Sequence, residues 1–369
     1  MRIGYDAKRI FHNTTGLGNY SRDLVRIMAE FYPENNYFLY NPKPAKINRL
    51  SIKSNMHIKQ PSGFFARLFP SLWRYKWILK DLEKDRIDIY HGLSAELPAG
   101  IEKKPIKSVV TIHDLIFMYF PKLYSTIDRK IYFKKFLKAV HSADIVVAIS
   151  EQTKKDILKY SNIPASKVKV IYQGCHTAFK RTYSKEFIQK VLEKYKLPKK
   201  FFLNVGTIEP RKNALSIVKA LQPTDYHIVL VGKLTSYALE IKKYVTNHQM
   251  ENRVHFLTGL SLEELAVLYQ QAQIFIYPSL YEGFGIPLIE ALYSKTIVIT
   301  NKNGVFPEAA GPFSFYLEDV QNPKEIRDLI EQIVNKDVSE QIENSYKFVQ
   351  KFNDDEIARQ WKNLYCELL

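Results

Sequence analysis

Short apolar segments recur along the chain, and each is followed by a stretch with helical spacing. In the first half they are MRIGYD, NYFLYN, IDIYHG, SVVTIHD, DIVVAIS and VKVIYQG; in the second half they are FFLNVGT, YHIVLVG, VHFLTG, IFIYPS and TIVITN. Segments that are apolar throughout, rather than at alternate positions, are typical of parallel strands buried on both faces. Their alternation with helices predicts α/β sheets covered by helices.

The alternating series runs twice, which predicts two Rossmann-like, doubly wound parallel-sheet domains. Residues 175–200 lack a buried strand and separate the two series. We therefore expect one domain over residues 1–176 and a second over residues 177–353. The last segment, DDEIARQWKNLYCELL, has a helical pattern, so a helix over residues 354–369 either completes the second domain or returns to the first.

Length and composition are those of a globular protein. At 369 residues the chain exceeds the size at which a single hydrophobic core keeps growing. Two cysteines, Cys175 and Cys366, are too few for a disulfide framework or a zinc site. The N-terminus lacks the features of a signal peptide, and no apolar run reaches the roughly 18 residues of a membrane span. We expect a cytoplasmic protein.

The net charge of +16 favours anionic partners. The sequence shows no zinc-finger pattern, no RNA-recognition signature and no long basic run, so nucleic acid is not the expected partner. Residues 64–80 (FFARLFPSLWRYKWILK) mix aromatic and basic side chains. They either contact an anionic membrane surface, where they would guide a lipid-linked acceptor, or supply ordinary core positions of a helix.

Two loops have the composition of phosphate sites, one about ten residues beyond the first strand and one directly at a strand end. TGLGNY lets the backbone approach a ligand at Gly16 and Gly18, in front of a helix expected from about Tyr20. VGTIEPRKN leaves the first strand of the second series and carries Arg211 and Lys212. Ligands of open α/β sheets bind at the carboxyl ends of the strands, so these cations are placed to meet phosphate oxygens. A plain turn and two solvated cations are the alternatives.

The segment PSLYEGFGIPLIEA places two glutamates eight positions apart. Glu282 lies in a glycine-rich turn after a strand, and Glu290 lies one turn into the following helix. One interpretation is that the two carboxylates bind hydroxyl groups and that nearby backbone N–H groups bind an anion in the same crevice. The alternative is that Glu282 only caps the helix. The backbone amides in question belong to Gly283, Phe284 and Gly285.

A fourth motif, VVTIHDLIF, ends a buried strand at His113. A histidine at this position either contacts a substrate hydroxyl or a leaving phosphate, or has a purely structural role.

These motifs together resemble glycosyltransferase family 4, the retaining nucleotide-sugar enzymes of GT-B architecture. The matching segments are DAKRIFHNTTGLGNY, HGLSAELP, TIHDLIF, ADIVVAISEQTKKDI, VIYQG, NVGTIEPRKN, PSLYEGFGIPLIEA and TNKNGVFPEAAG. They span almost the whole chain in order. The opening and middle motifs resemble those of mannosyltransferases and related enzymes that assemble bacterial O-antigens and capsules.

The resemblance implies roles for individual residues. It implies two domains facing a cleft, an acceptor-side N-terminal domain to which the terminal helix returns, and a C-terminal donor-binding domain. In the donor site Glu282 would hold sugar hydroxyls, and Glu290 the ribose. The diphosphate would be met by Lys212, Arg211 and backbone groups, and the sugar would lie beside His113. The donor-binding set is Gly16, Gly18, Gly206, Lys212, Glu282, Gly283, Phe284, Gly285, Glu290 and Glu308.

One position departs from the family pattern. Many members carry an arginine directly after the glycine that ends the first strand of the second domain, where this chain has Thr207 after Gly206. Neutralisation of the leaving diphosphate then depends on Lys212 and Arg211, and it stays open whether Arg211 instead faces solvent.

The expected function is transfer of a hexose from a nucleotide diphosphate sugar, with GDP-mannose as the first choice, to a glycan or polyprenyl-diphosphate-linked acceptor. No paired-aspartate motif lies at a strand end, so we expect neither a metal nor another cofactor. The alternatives are a nucleotide-sugar epimerase or phosphorylase of the same architecture, or a non-catalytic module that binds a sugar nucleotide.

Overall fold

The computed structural model describes residues 1–369. The chain divides into two compact units. The first comprises Met1–Gly174 together with Asn353–Leu369, and the second comprises Cys175–Phe352.

The first unit is built on a seven-stranded parallel sheet in the order β3-β2-β1-β4-β5-β6-β7. Its interior strands are buried along most of their length, which agrees with their uninterrupted apolar sequences. The strands are β1 (Arg2–Asp6), β2 (Asn36–Tyr40), β3 (Met56–Lys59), β4 (Ile89–Gly92), β5 (Lys107–Ile112), β6 (Ile145–Ala148) and β7 (Val168–Val170).

Eight helices accompany this sheet before the chain leaves the unit. They are α1 (Lys8–His12), α2 (Gly16–Phe31), α3 (Phe64–Leu68), α4 (Pro70–Leu72), α5 (Ile78–Lys84), α6 (Ile116–Tyr119), α7 (Thr126–Ser142) and α8 (Glu151–Ser161). Helix α2 begins at Gly16, one turn earlier than the expected start at Tyr20. Residues 64–80 form a broken helix, in which one π-helical turn, Trp73–Trp77, separates α4 from α5.

The second unit carries a six-stranded parallel sheet in the order β10-β9-β8-β11-β12-β13. Its strands are β8 (Phe202–Val205), β9 (Ile228–Val231), β10 (Val254–Leu257), β11 (Ile274–Tyr277), β12 (Ile297–Asn301) and β13 (Phe315–Leu317). Its helices are α9 (Lys185–Lys194), α10 (Ala214–Leu221), α11 (Tyr237–Asn247), α12 (Leu262–Gln271), α13 (Ile286–Tyr293), α14 (Phe306–Ala310), α15 (Pro323–Val334) and α16 (Ser339–Val349).

The two sheets confirm the predicted fold class. The apolar pattern missed two of the thirteen strands, β3 and β13, and both lie at a sheet edge. Each is only partly buried, so its sequence lacks the continuous apolar run that marks an interior strand.

The terminal helix α17 (Asp354–Leu368) belongs to the first unit. The buried Tyr365 hydroxyl lies 2.8 Å from Nδ1 of His91 and 3.3 Å from the hydroxyl of Tyr5. The Trp361 ring packs on the same histidine, with centroids 4.7 Å apart. Burial lowers the pKa of His91 to about 3, so the imidazole is neutral, and its Nε2 lies 2.7 Å from the Thr111 hydroxyl. A buried polar network therefore ties α17 to β1, β4 and β5.

None of the helices combines the length and the apolar character that crossing a membrane requires.

Candidate active site

The loop after β8 places a lysine directly beside a glycine. Gly206 has a φ of +148°, a value that L side chains rarely adopt, and an added Cβ would lie 3.4 Å from Cε of Lys212. A short 3₁₀ turn, Pro210–Lys212, then brings the lysine back over the strand end. The glycine thus gives the backbone its turn and leaves space for the lysine side chain.

Lys212 is held by two groups at the end of β11. Its Nζ donates to Oε1 of Glu282 at 2.6 Å and to the Tyr277 hydroxyl at 2.6 Å. Burial lowers the pKa of Lys212, while the adjacent Glu282 carboxylate opposes that shift. An ammonium group has three N–H donors, so one remains for a ligand.

Four donors converge on one oxygen of Glu282. Besides the ammonium, Oε1 accepts from the Ser279 hydroxyl at 2.6 Å and from the Tyr277 hydroxyl at 3.1 Å, and it pairs with Nη1 of Arg211 at 2.9 Å. Burial alone would raise its pKa, but the two cations lower the pKa of Glu282 to about 2. The anchored carboxylate is therefore ionised, and its second oxygen, Oε2, is left to accept a hydrogen bond from a ligand.

Arg211 is buried, so the alternative that it faces solvent is wrong. Its Nη1 donates to the carbonyl oxygen of Tyr281 at 2.5 Å, and its Nη2 pairs with Glu209 at 2.6 Å. The guanidinium thus braces the turn that carries Glu282. The next residue, Asn213, stands at the start of α10 but makes no side-chain cap, since its Oδ1 accepts from the Ser216 hydroxyl at 2.7 Å instead of from a backbone N–H group.

Glu290 lies in α13, one turn past Gly285, which has a φ of +107°. Its Oε2 accepts from the Tyr269 hydroxyl at 2.9 Å, and burial raises its pKa to about 7. Burial and the charges of both glutamates raise the pKa of Tyr277, so this tyrosine lies within the electrostatic range of both carboxylates. The structure therefore brings Glu282 and Glu290 to one region of the second unit.

The rest of the donor-binding set in this unit lies on the same turn and on a neighbouring helix. Phe284 is buried, with its ring centroid 5.4 Å from that of Phe352, so any ligand contact it makes is through its backbone. Gly283 and Gly285 flank it in the turn before α13. Glu308 lies in α14, and its neighbour Phe306 packs on Tyr277 with centroids 6.3 Å apart.

In the first unit the structure joins two of the predicted motifs. His113 follows β5, and its ring meets the Tyr20 ring edge-on at 4.6 Å. Its Nε2 lies 2.9 Å from the carbonyl oxygen of Leu93, so this nitrogen carries the proton. Burial lowers the pKa of His113 to about 4. The neutral ring therefore presents Nδ1 as an acceptor, which suits a hydroxyl donor.

The glycines of TGLGNY differ in what they do. A Cβ on Gly18 would lie 2.0 Å from the carbonyl oxygen of Asn13, whereas one on Gly16 would meet nothing within 4 Å. The Gly18 amide already donates to Oδ1 of Asn13 at 3.1 Å and to the carbonyl oxygen of Thr15 at 2.9 Å. The Gly18 N–H is thus already hydrogen-bonded within the protein and does not make the expected contact with phosphate. The amides of Gly16 and Leu17 are the ones available at the start of α2.

Sequence reasoning missed three side chains that hold the glutamates. Tyr277 and Ser279 orient Glu282, and Tyr269 orients Glu290. A polar side chain at the end of an apolar strand, as in IFIYPS, is the signal that identifies Tyr277 and Ser279. Tyr269 lies in the last turn of α12, and the sequence gives no sign that its hydroxyl reaches Glu290.

No group of three or more histidine, cysteine, aspartate or glutamate side chains is arranged to hold a metal ion.

Solved structures share this architecture over the whole chain. Sucrose-phosphate synthase from Thermosynechococcus elongatus superposes with a TM-score of 0.80 at 20% identity, covering 100% of this chain and 99% of that one. HepE of Anabaena, solved in complex with UDP-glucose, gives a TM-score of 0.75 at 17% identity and covers 100% of both chains. These likenesses show the two-domain GT-B fold.

Two family models match consecutive parts of the sequence. Residues 16–179 match Glycosyltransferase Family 4, and residues 184–350 match Glycosyl transferases group 1. O-antigen chain mannosyltransferase RfbU of Salmonella typhimurium is 30% identical over 262 residues, which are 70% of this chain and 69% of that one. O-antigen chain mannosyltransferase B of Escherichia coli is 29% identical over 332 residues, 84% of this chain and 85% of that one. The chain is thus a glycosyltransferase of family 4.

Proposed function

We propose that this glycosyltransferase moves mannose from GDP-mannose to a hydroxyl of a lipid-linked glycan acceptor during assembly of a surface polysaccharide, with retention at the anomeric carbon. The observation that carries the proposal is the Lys212–Glu282 pair, which offers an N–H donor and a carboxylate oxygen side by side. The choice of mannose is supported by relatives that are named O-antigen mannosyltransferases.

We derive the donor contacts from the atoms of Lys212 and Glu282 that make no hydrogen bond within the protein. The third N–H of Lys212 binds a β-phosphate oxygen, and Oε2 of Glu282 accepts from a sugar hydroxyl. Negative charge grows on the β-phosphate as the glycosidic bond breaks, so an N–H fixed at that point stabilises the transition state more than the ground state. Both contacts use groups that the protein already holds in place, which lowers the entropy lost on binding.

The remaining steps concern the acceptor and its proton. Both glutamates are committed to hydroxyl binding, so neither acts as a nucleophile. The acceptor attacks on the face that the diphosphate leaves, and a phosphate oxygen takes its proton. His113 accepts a hydrogen bond from a sugar hydroxyl through Nδ1. No metal takes part, because Lys212 and the backbone amides supply the stabilisation of the leaving group.

Incubation of the protein with GDP-mannose and a lipid-linked glycan tests this function. We expect mannosylated product and GDP in equal amounts, unchanged by EDTA. GDP release without acceptor, together with a free sugar of changed configuration, would indicate a hydrolysing epimerase. Loss of transfer in EDTA with recovery on adding Mg²⁺ or Mn²⁺ would contradict metal independence.

Replacement of Lys212 tests the leaving-group contact. We expect Lys212→Ala to lower kcat by about 10²- to 10³-fold, the effect of removing one transition-state donor. Initial rates at saturating GDP-mannose measure it, and melting temperatures check that the buried Glu282, still paired with Arg211, has not destabilised the fold. The matched control is Lys219→Ala, an exposed lysine of α10, which should keep its rate. A rate within threefold of the parent for Lys212→Ala would rule the contact out.

The raised pKa of Glu290 predicts a pH dependence of nucleotide binding. A folded-state pKa of about 7 lies above the unfolded value, so the neutral acid predominates below pH 7 and the carboxylate above it. The carboxylate accepts hydrogen bonds from ribose more strongly than the acid does. Affinity for GDP should therefore fall below pH 7, by at most about tenfold per pH unit.

Calorimetric titration of GDP from pH 5.5 to pH 8.5 measures this dependence. In Glu290→Gln the affinity should be lower at pH 8 and flat across that range. A parent profile as flat as that of the variant would show that Glu290 does not meet the nucleotide.

We further propose that the first unit contacts an anionic membrane surface peripherally. Side chains along residues 64–72 are apolar and exposed, namely Phe64, Phe65, Leu68, Phe69 and Leu72. The alternative that this stretch supplies core positions holds for Trp73, which is buried. Apolar groups beside lysine and arginine are what an anionic bilayer surface binds.

Flotation with phosphatidylglycerol vesicles tests this contact. The parent should float with these vesicles and less with phosphatidylcholine, and Phe64→Ser/Phe65→Ser should stay at the bottom. Leu239→Ser removes an equally exposed apolar side chain from α11 and should float like the parent. Equal flotation of all three proteins would exclude the segment as the contact.

A further inference from the structure

The first unit contains a cavity of about 480 Å³ at the carboxyl ends of β1 and β4. Asp6, the last residue of β1, and Glu96, in the loop after β4, form part of its wall. Six cations line it against these two carboxylates: Lys8, Lys43, Lys46, Arg74, Lys135 and Lys138. The lining thus carries an excess of four positive charges, which favours an anion with more than one charge.

Arg74 is already neutralised and serves as part of the wall. Its Nε lies 3.0 and 3.1 Å from the two oxygens of Asp6, and its Nη1 pairs with Glu96. The carboxylate of Asp6 is buried, so this ion pair fixes the segment that carries Arg74 to the end of β1.

The lysines, in contrast, are largely unpaired. Lys8, Lys43 and Lys46 form no ion pair, although the charges of Glu96 and Asp6 act on Lys8, and Lys135 lies 3.3 Å from Glu96. Lys138 donates to the Tyr75 hydroxyl at 2.6 Å, which leaves two of its three N–H donors free. Partial desolvation of its ammonium group and the positive charge of Arg74 lower the pKa of Lys8, so the ammonium gains from a bound anion. These lysine side chains are exposed, so they contribute little to the stability of the fold.

An apolar surface adjoins the cavity. Pro70 and Tyr75 line it, and Phe69 and Leu72, from the same broken helix, are 50% and 40% exposed. One segment therefore joins a polyanion site to a surface suited to hydrocarbon. A free anion would use only the lysines, whereas a diphosphate that carries an isoprenoid chain would use both.

We propose that this cavity binds the diphosphate group of an isoprenoid-linked acceptor, with Lys8, Lys46, Lys135 and Lys138 as its ligands. The inference rests on the proposed function for the identity of the acceptor. The presence of a diphosphate site can be tested without any glycosyl transfer.

Binding of farnesyl diphosphate to the full-length protein, with GDP saturating the nucleotide site, tests the cavity directly. We expect calorimetric binding to weaken at least tenfold in Lys46→Glu/Lys135→Glu. The matched control is Lys130→Glu/Lys134→Glu, which makes the same change in net charge with exposed lysines of α7 outside the cavity. The control should bind like the parent. Equal losses in both double variants, or none in the first, would overturn the proposal.

Three further probes distinguish the source of the anion. Farnesol should not bind, and inorganic pyrophosphate should bind at least tenfold more weakly than farnesyl diphosphate. Equal affinity of these two diphosphates would reject a lipid-linked ligand. Displacement of farnesyl diphosphate by phosphatidylglycerol vesicles would assign the cavity to a phospholipid headgroup and overturn the proposal.

Kinetics separate this proposal from the proposed function. In Lys46→Glu/Lys135→Glu the KM for the lipid-linked acceptor should rise at least tenfold, while the KM for GDP-mannose and kcat stay within twofold. If the parent binds farnesyl diphosphate through these lysines yet transfers no mannose, the assignment of the cavity as a diphosphate site is supported and the proposed function is wrong. If transfer occurs and the acceptor KM is unchanged in the variant, the cavity assignment fails alone.

Discussion

The buried carboxylate of Glu282 is the constraint on which the proposed donor site depends. An ionised carboxylate removed from water is costly unless cations and hydrogen-bond donors surround it. Here Lys212, Arg211, Tyr277 and Ser279 all approach one oxygen. This convergence fixes the orientation of the carboxylate and of the lysine together. The glycine-rich turn before α13 and the 3₁₀ turn after β8 are the two backbone features that bring these groups to one place.

This arrangement determines how an anion can be bound. Arg211 and Lys212 are balanced by Glu209 and Glu282, so the set has no excess charge. In the proposed donor site a diphosphate is therefore held by directed hydrogen bonds rather than by excess charge, and the third N–H of Lys212 supplies one of them. The cavity that we propose as the acceptor site in the first unit is the opposite case, because it gathers lysines that have few carboxylate partners. Hydrogen-bond donors at fixed positions suit a leaving group, because its exact position affects the reaction rate. An excess of positive charge suits an acceptor diphosphate, which only has to be held in place.

Much of the fold was predictable because interior parallel strands are apolar throughout. The edge strands β3 and β13 were not, since a half-exposed edge needs no such run. For the site, strand ends and spacing pointed to Lys212, Glu282, Glu290 and His113. The burial of Arg211 was not predictable, because besides the nearby Glu209 its partners are a backbone carbonyl group and a glutamate about seventy positions away. Nor was the occupied amide of Gly18, which depends on Asn13 folding back over the turn.

A crystal structure of the protein with GDP-mannose tests the central claim most directly. The account predicts that Nζ of Lys212 keeps its bond to Glu282 and lies about 3 Å from a β-phosphate oxygen, with Oε2 of Glu282 at a similar distance from a sugar hydroxyl. A bound donor whose diphosphate lies beyond the reach of Lys212, with Oε2 of Glu282 facing no hydroxyl, would contradict it.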